Sequence, residues 1–383
     1  MHPMHPARAA AALSEHPVPA VATGEVIAEI LDRMGHEPDL AVLTVTSHLH
    51  GALEDIVPAI HATLAPKSLI GTTAVAVIGG SREVEEQPAI SLWAARWDGN
   101  HQVVSLPPSA TEAGIPGSPA TLDALTAVVD ADAHTAIVLA DPFSFDTEAL
   151  LDSDLTLIGG LASAGRQPGG NLLIHQDELI SEGAVALVLS GGSRPTTLVS
   201  QGCRPVGDPL TVTGAERNLL LSLAGRPALD YLQEMIGNLT EDERRLAAGG
   251  LHLGWVVNEQ KAEFEPGDFL IRGVMGAVKN RNAVAVGAVV PVGAAVQFQV
   301  RDAESADREL ATLLSEAPEA DAALVFTCNG RGVRFFGTSD HDALAISERF
   351  DTSAVGGMFC AGEIGPVGGR NFLHGYTASV LLL

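Results

Sequence analysis

The chain has 383 residues, 46% hydrophobic and 18% charged, and a formal net charge of −25. Such a charge repels phosphate backbones and anionic membrane surfaces, so neither nucleic acid nor a membrane is an expected partner. Its three cysteines, Cys203, Cys328 and Cys360, are far apart with no CxxC. No disulfide framework, metal site or cofactor is therefore expected, and a reducing cytoplasm is the expected compartment.

The first residues, MHPMHPARAAAALSEHPVPA, lack a basic region leading into an apolar core, so they do not read as a signal peptide. A disordered tail is expected over 1–24. Next, DLAVLTVTSHLH (39–50) is an apolar strand, followed by Leu53, Ile56, Val57, Ile60 and Leu64 at helical spacing. LIGTTAVAVIGG (69–80) and AISLWAARW (89–97) complete this first stretch. A second stretch has the same order of parts: HTAIVLADPFSFD (134–146), LIGGLASAG (157–165), QPGGN (167–171) and AVALVLSGG (184–192). A third has AALVFTCNGRG (322–332), AVGGMFCAG (354–362), PVGGRN (366–371) and TASVLLL (377–383).

The second and third stretches match in their glycines. Gly159-Gly160 precedes Gly165 as Gly356-Gly357 precedes Gly362, and each set leads into Pro, a glycine pair and Asn171 or Asn371. Between them lies a more helical region with two expected capping boxes, Thr213 with Glu216 and Thr240 with Glu243. Strands alternating with helices imply an α/β protein. The expectation is two duplicated α/β domains, 25–212 and 213–383, with mixed sheets flanked by helices as a layered sandwich.

The glycine-dense FCAGEIGPVGGRNFLHG (359–375) has no GK[ST] and no dinucleotide spacing. Its glycines therefore read first as tight turns, with an anion nest completed by Arg370 as the alternative. Cys360 is the sharpest nucleophile candidate, because Glu363, Arg370 and His374 stand near it in sequence, although a buried inert thiol is the simpler expectation. Cys328 ends an apolar strand where an α/β cleft often opens, with Asn329 and Arg331 beside it. No GxSxG, HExxH or kinase motif is present, so no catalytic set is assigned and enzymatic activity is not the expectation.

The strings SQGCRPVGDPLTVT, GDFLIRGVMG, VQFQVRDA, FTCNGRG and FCAGEIGPVGGRNFLHGYTAS, in this order, resemble the C-terminal half of the FIST family. LIGTTAVAVIGG, ADPFSFD and LIGGLASAG resemble its N-terminal half. The resemblance implies a sensory module for intracellular signal transduction, for which amino acids have been proposed as ligands, with output through a signalling partner or through oligomerisation. It brings no established catalytic residues. The expected ligand is a small polar molecule, an amino acid or other small carboxylate. Cys360, Glu363, Arg370, Asn371, His374, Cys328, Asn329, Arg331 and Asp141 are the candidate ligand-binding residues. A cysteine enzyme or thiol sensor using Cys360 or Cys328, and a partner-binding scaffold without a ligand, are the alternatives.

Overall fold

A computed structural model describes residues 7–109, 125–126, 129–257, 264 and 266–383. It has the expected α/β class, with mixed sheets flanked by helices. The chain forms two compact units: one joins the chain up to Val199 with Leu313–Leu383, and the other is Ser200–Thr312.

The first unit is built from three copies of one pattern. Each copy has an edge strand, a first strand, a second strand parallel to the first, a hairpin, and a last strand antiparallel to the first. In the first copy these are Ala9–Ser14, Leu40–Thr46, Ser68–Ala74, the hairpin Ala76–Gly79 with Arg82–Glu85, and Ile90–Ala95. In the second they are Asn100–Leu106, Ala133–Ala140, Thr156–Leu161, Leu173–His175 with Glu178–Ile180, and Ala184–Ser190. In the third they are Thr196–Ser200, Ala323–Cys328, Val355–Cys360, Glu363–Val367 with Arg370–His374, and Ala378–Leu382. The second compact unit is thus an insertion between the edge strand and the first strand of the third copy.

The copies exchange their hairpins in a cycle. The first copy's hairpin pairs with the second strand of the third, the third's with that of the second, and the second's with that of the first. The result is three six-stranded sheets with the same strand order. Central strands such as Leu40–Thr46, Ser68–Ala74 and Ile90–Ala95 are buried along their whole length, which explains their continuous apolar runs. One core cluster draws Val42, Ile70, Ile137, Ile158, Leu324 and Leu381 from all three copies. Outside it, the helices Pro19–Met34 and Leu53–Leu64 cover the first sheet, and Ile30, Ile56 and Ile60 are fully buried there.

Register fixes the equivalences. Gly71 lies opposite Leu43, Gly159 opposite Val138 and Gly357 opposite Val325. A Cβ at these glycines would stand 2.2, 1.9 and 1.9 Å from the partner's carbonyl oxygen, so no side chain fits. The exchanged hairpins place Ile174, Ile364 and Ile78 opposite the same three glycines. Gly159 therefore corresponds to Gly357, not to Gly356, and the glycine match drawn from sequence is off by one residue. In a strand such a slip reverses every side chain's face. The Pro-Gly-Gly-Asn match fails too. Asn171 precedes its hairpin's first strand, whereas Asn371 lies on the returning strand.

Two further expectations are corrected. Ala9–Ser14 is a largely buried edge strand, and Pro19–Met34 is a helix with proline in its first turn, so structure begins well inside the expected tail 1–24. Four consecutive alanines read as featureless but fit a tightly packed edge. Thr213 lies in the strand Cys203–Glu216 and caps no helix. Thr240 and Glu243 do form the expected capping box, at the start of Glu241–Ala248. The second unit is a seven-stranded sheet with its own core, in which Leu229, Leu232 and Met235 of the helix Ala228–Asn238 are buried.

Candidate functional site

At the C-terminal end of the third copy's parallel pair, Cys328 lies opposite Cys360. The chain then turns sharply through Asn329, Gly330 and Arg331. The Arg331 N–H donates to the Cys328 carbonyl at 2.8 Å, and the Gly330 N–H donates to the Cys328 sulfur at 3.4 Å. Arg331 is only 1% exposed. Its guanidinium grips Asp342 in a fork, Nε to Oδ2 at 2.9 Å and Nη2 to Oδ1 at 2.8 Å. Asp342 also accepts from Thr327 Oγ1 at 2.7 Å and contacts His341 Nδ1 at 3.0 Å. The Phe336 ring lies under the guanidinium at 5.1 Å and stacks on His341 at 3.5 Å between centroids. Burial opposes ionisation of Asp342, but Arg331 and the surrounding donors outweigh it and hold the carboxyl well below the usual carboxylate range.

The first copy supplies the wall of this site through its exchanged hairpin. Glu83 Oε1 accepts from the Asp342 and Ala343 N–H groups at 2.9 and 3.0 Å, capping the helix His341–Phe350. Glu85 Oε1 accepts from the Val333 N–H at 2.8 Å. Burial, reinforced by the charge of Asp342, pushes the Glu83 carboxyl up to about 8.

Glu363 is fully buried, with the Cys328 side chain beside it. Its Oε2 accepts from Thr377 N at 3.1 Å and from Thr377 Oγ1 at 2.8 Å. Its Oε1 is buried without a well-formed hydrogen bond among the described residues. Burial raises this carboxyl to about 8, against the opposing pull of Thr377, the Cys328 thiol and Arg331. By register, Glu363 pairs with Gly160, one residue past Gly159. The equivalent residues are Val77 opposite Met358 and Leu173 opposite Thr72, both fully buried and apolar. An acid thus occupies a position that two sibling copies fill with hydrocarbon.

The structure divides the candidates named from sequence. Cys328, Arg331 and Glu363 come together, and Asn329 is exposed on the rim. Cys360 is fully buried, and burial, then Glu363 and Cys328, push its thiol well above the ordinary range. Both effects disfavour a thiolate there. Arg370 is exposed beside the hairpin turn Gly368-Gly369, with its guanidinium over Phe372 at 5.5 Å, so these glycines form the tight turn read first from the sequence. Asn371 is structural: it accepts from Leu157 N at 2.8 Å and donates to the carbonyls of Leu155 and Ser153 at 2.9 and 3.2 Å. His374 is buried, with Nε2 at 2.9 Å from the Gly365 carbonyl oxygen. Asp141 is the second copy's equivalent of Cys328, one residue past Ala140, and bonds Ser144 Oγ at 2.7 Å and Asn171 Nδ2 at 2.9 Å. Asp141 and Cys328 therefore belong to the ends of two different sheets. Glu83, Asp342 and Thr377 were missed as site residues. The carboxylates of the hairpin, SREVE, were a visible signal, but only the exchange shows where they go.

Two family models match the chain. A family model for the FIST N domain matches residues 39–226, and one for the FIST C domain matches 228–366. The chain belongs to the FIST family. Among curated relatives, the uncharacterized protein Rv0628c of Mycobacterium tuberculosis is 41% identical over 365 residues, spanning 91% of this chain and 92% of its own. The uncharacterized protein Mb0898c of Mycobacterium bovis is 38% identical over 359 residues, spanning 91% of each. FIST domains are generally associated with sensing in signal transduction. Among the described residues, no helix is long and apolar enough to cross a membrane.

Proposed function

We propose that this FIST protein is an intracellular sensor that binds a small amine-bearing polar ligand, an amino acid being the simplest, at the end of the third copy. The observation that carries this is Glu363. It is a fully buried acid, engaged by Thr377 and the Cys328 thiol, standing where Val77 and Leu173 suffice in the sibling copies. Such groups are retained when a ligand completes them. The positive charge of an ammonium group beside Glu363 would favour its carboxylate, so the carboxyl proton passes to solvent and an ion pair is left in a site of low dielectric. Arg331 does not receive the ligand's carboxylate in this reading, because Asp342 already holds it in a fork. Its task is to keep the rim loop and Cys328 in place.

Calorimetric titration with a panel of amino acids and simple amines is the test. A binder should release a proton, so its apparent heat should vary with the ionisation enthalpy of the buffer, and Glu363→Gln should abolish the heat. If no amine or amino acid gives heat with the intact protein, the proposal fails.

A second reading rests on Cys328, the half-exposed cysteine of the three, whose sulfur accepts an N–H bond from Gly330. In it Cys328 is a thiol sensor rather than a ligand's neighbour. Loss of the titration heat on Glu363→Gln, with retention in Cys328→Ser, favours the first reading.

A further inference from the structure

We propose that Cys328 and Cys360 are a redox pair that closes into a reversible disulfide when a hydroperoxide oxidises Cys328. The two are register partners at the end of the parallel strands Ala323–Cys328 and Val355–Cys360. Neighbouring strands run about 4.8 Å apart, inside the roughly 4.4–6.8 Å between Cα atoms that a disulfide spans. Phe326 and Met358, two residues back on each strand, lie with Cys360 in the core cluster shared by the three copies. By strand alternation both thiols therefore leave the sheet on that same face. Both cysteines are reduced in the structure. The inference rests on the thiol-sensor reading of Cys328, to which it adds a partner, and it needs no amine ligand.

Packing does not require this pair. Counted from Gly71, Gly159 and Gly357, the residues equivalent to Cys360 are Ala74 and Ala162, and those equivalent to Cys328 are Thr46 and Asp141. Alanine fills the place twice, yet here a second sulfur stands against the first. Gly160 keeps room for it, because a Cβ there would lie 2.3 Å from Cys360 Sγ. Access is divided between the two thiols. Cys328 is half-exposed on the rim, and the Gly330 N–H aimed at its sulfur at 3.4 Å favours a thiolate. Cys360 is buried, so it meets only an oxidised sulfur that the fold holds beside it. The Asn329 N–H donates to the Cys360 carbonyl at 3.0 Å, which ties the rim turn to the second strand.

The chemistry balances in two steps. The Cys328 thiolate attacks one peroxide oxygen and the O–O bond breaks. The proton that the thiol gave up leaves with the other oxygen as water or an alcohol, and Cys328 becomes a sulfenic acid. The Cys360 sulfur then attacks the sulfenic sulfur, the S–S bond forms, and the hydroxyl leaves as water. Glu363, beside both thiols, takes the Cys360 proton and gives its own to that hydroxyl. The peroxide gains two electrons and the two thiols lose two. A disulfide with one half-exposed sulfur is open to a reducing dithiol, which restores both thiols by exchange.

The test treats the reduced, intact protein with hydrogen peroxide, blocks remaining thiols with N-ethylmaleimide in denaturant, and digests without reductant for mass spectrometry. A linked Cys328–Cys360 peptide is expected, lost on dithiothreitol, with Cys203 recovered as its maleimide adduct. Cys360→Ala installs the residue of the sibling copies and should fold. In it the linked peptide disappears, and Cys328 is recovered instead as the dimedone adduct of its sulfenic acid. Cys328→Ser should leave Cys360 unoxidised. If the native protein yields no linked peptide, or yields it only in urea, the pair does not exist. Dimedone capture of Cys328 to the same extent with and without Cys360 overturns the pair and leaves Cys328 a thiol sensor alone. No oxidation of Cys328 overturns both.

Discussion

Glu363 and Val77 hold the same place in two copies of one pattern, each following a second strand and each one residue before the isoleucine that faces a critical glycine. Both are fully buried. The pair is a natural comparison of what the fold needs with what this copy carries. Glu363→Val restores the hydrocarbon, and replacing a buried charge or acid by a packed apolar group is often stabilising. We expect Glu363→Val to raise unfolding stability by about 1–3 kcal/mol at pH 8, read by urea denaturation, while ligand binding is lost. A destabilised variant would mean that Glu363 is structural.

The same acid sets a pH dependence. Glu363 has its carboxyl raised from 4.5 to about 8 by burial, and Glu83 likewise. Between these values the folded protein keeps protons that the unfolded chain has released. Stability must therefore fall as pH rises from about 5 to 8 and level off above, by up to about 1.4 kcal/mol per pH unit for each group. Denaturation at a series of pH values checks this, and Glu363→Gln should remove one group's share of the slope.

Much of the fold was legible because its signals are local. Continuous apolar runs marked the strands, and the repeated order of parts was visible in all three stretches. What could not be seen was the exchange of hairpins, since nothing in SREVE or PVGGRN says which sheet each will join. The one-residue error at Gly159 and Gly357 has the same origin. Glycine pairs align in sequence by identity, but in space by which glycine faces a carbonyl. For the site, Cys328 and Glu363 were found by their position at a strand end and their chemistry. Arg370, Asn371 and Asp141 were carried by proximity in sequence or by a mistaken superposition.

Neighbouring residues Arg370 and Asn371 should behave oppositely on truncation. Asn371 bridges to the chain before the second copy's second strand, and its loss strands a buried N–H and several carbonyls. Asn371→Ala should cost about 2–4 kcal/mol, by the usual cost of unsatisfied buried groups. Arg370→Ala, on the exposed turn, should stay within about 0.5 kcal/mol. Thermal denaturation of the two variants side by side decides it.

Gly159 and Gly357 should tolerate no substitution. Their φ values of 147° and 152° disfavour any side chain, and a Cβ would stand 1.9 Å from the carbonyl oxygen of Val138 or Val325. Relief requires the parallel strands to part in the middle of the common core. We expect Gly159→Ala or Gly357→Ala to cost more than about 3 kcal/mol, which would show as lost soluble yield or a large drop in Tm.

The cysteines make the last prediction. Thiol reactivity needs both access and a thiolate. Cys203 and Cys360 are buried, and Cys360 is further denied ionisation by burial and by Glu363 beside it. Cys328 is half-exposed, and its sulfur faces the Gly330 N–H. Iodoacetamide applied to the native protein at pH 8, followed by peptide mass spectrometry, should label Cys328 first, with Cys203 and Cys360 labelled only after denaturation. Cys328 adjoins Glu363, so a ligand seated there should slow that labelling without changing the other two. Labelling of Cys360 in the native state would mean that the end of the third copy opens, and the buried acid would then have water as its partner.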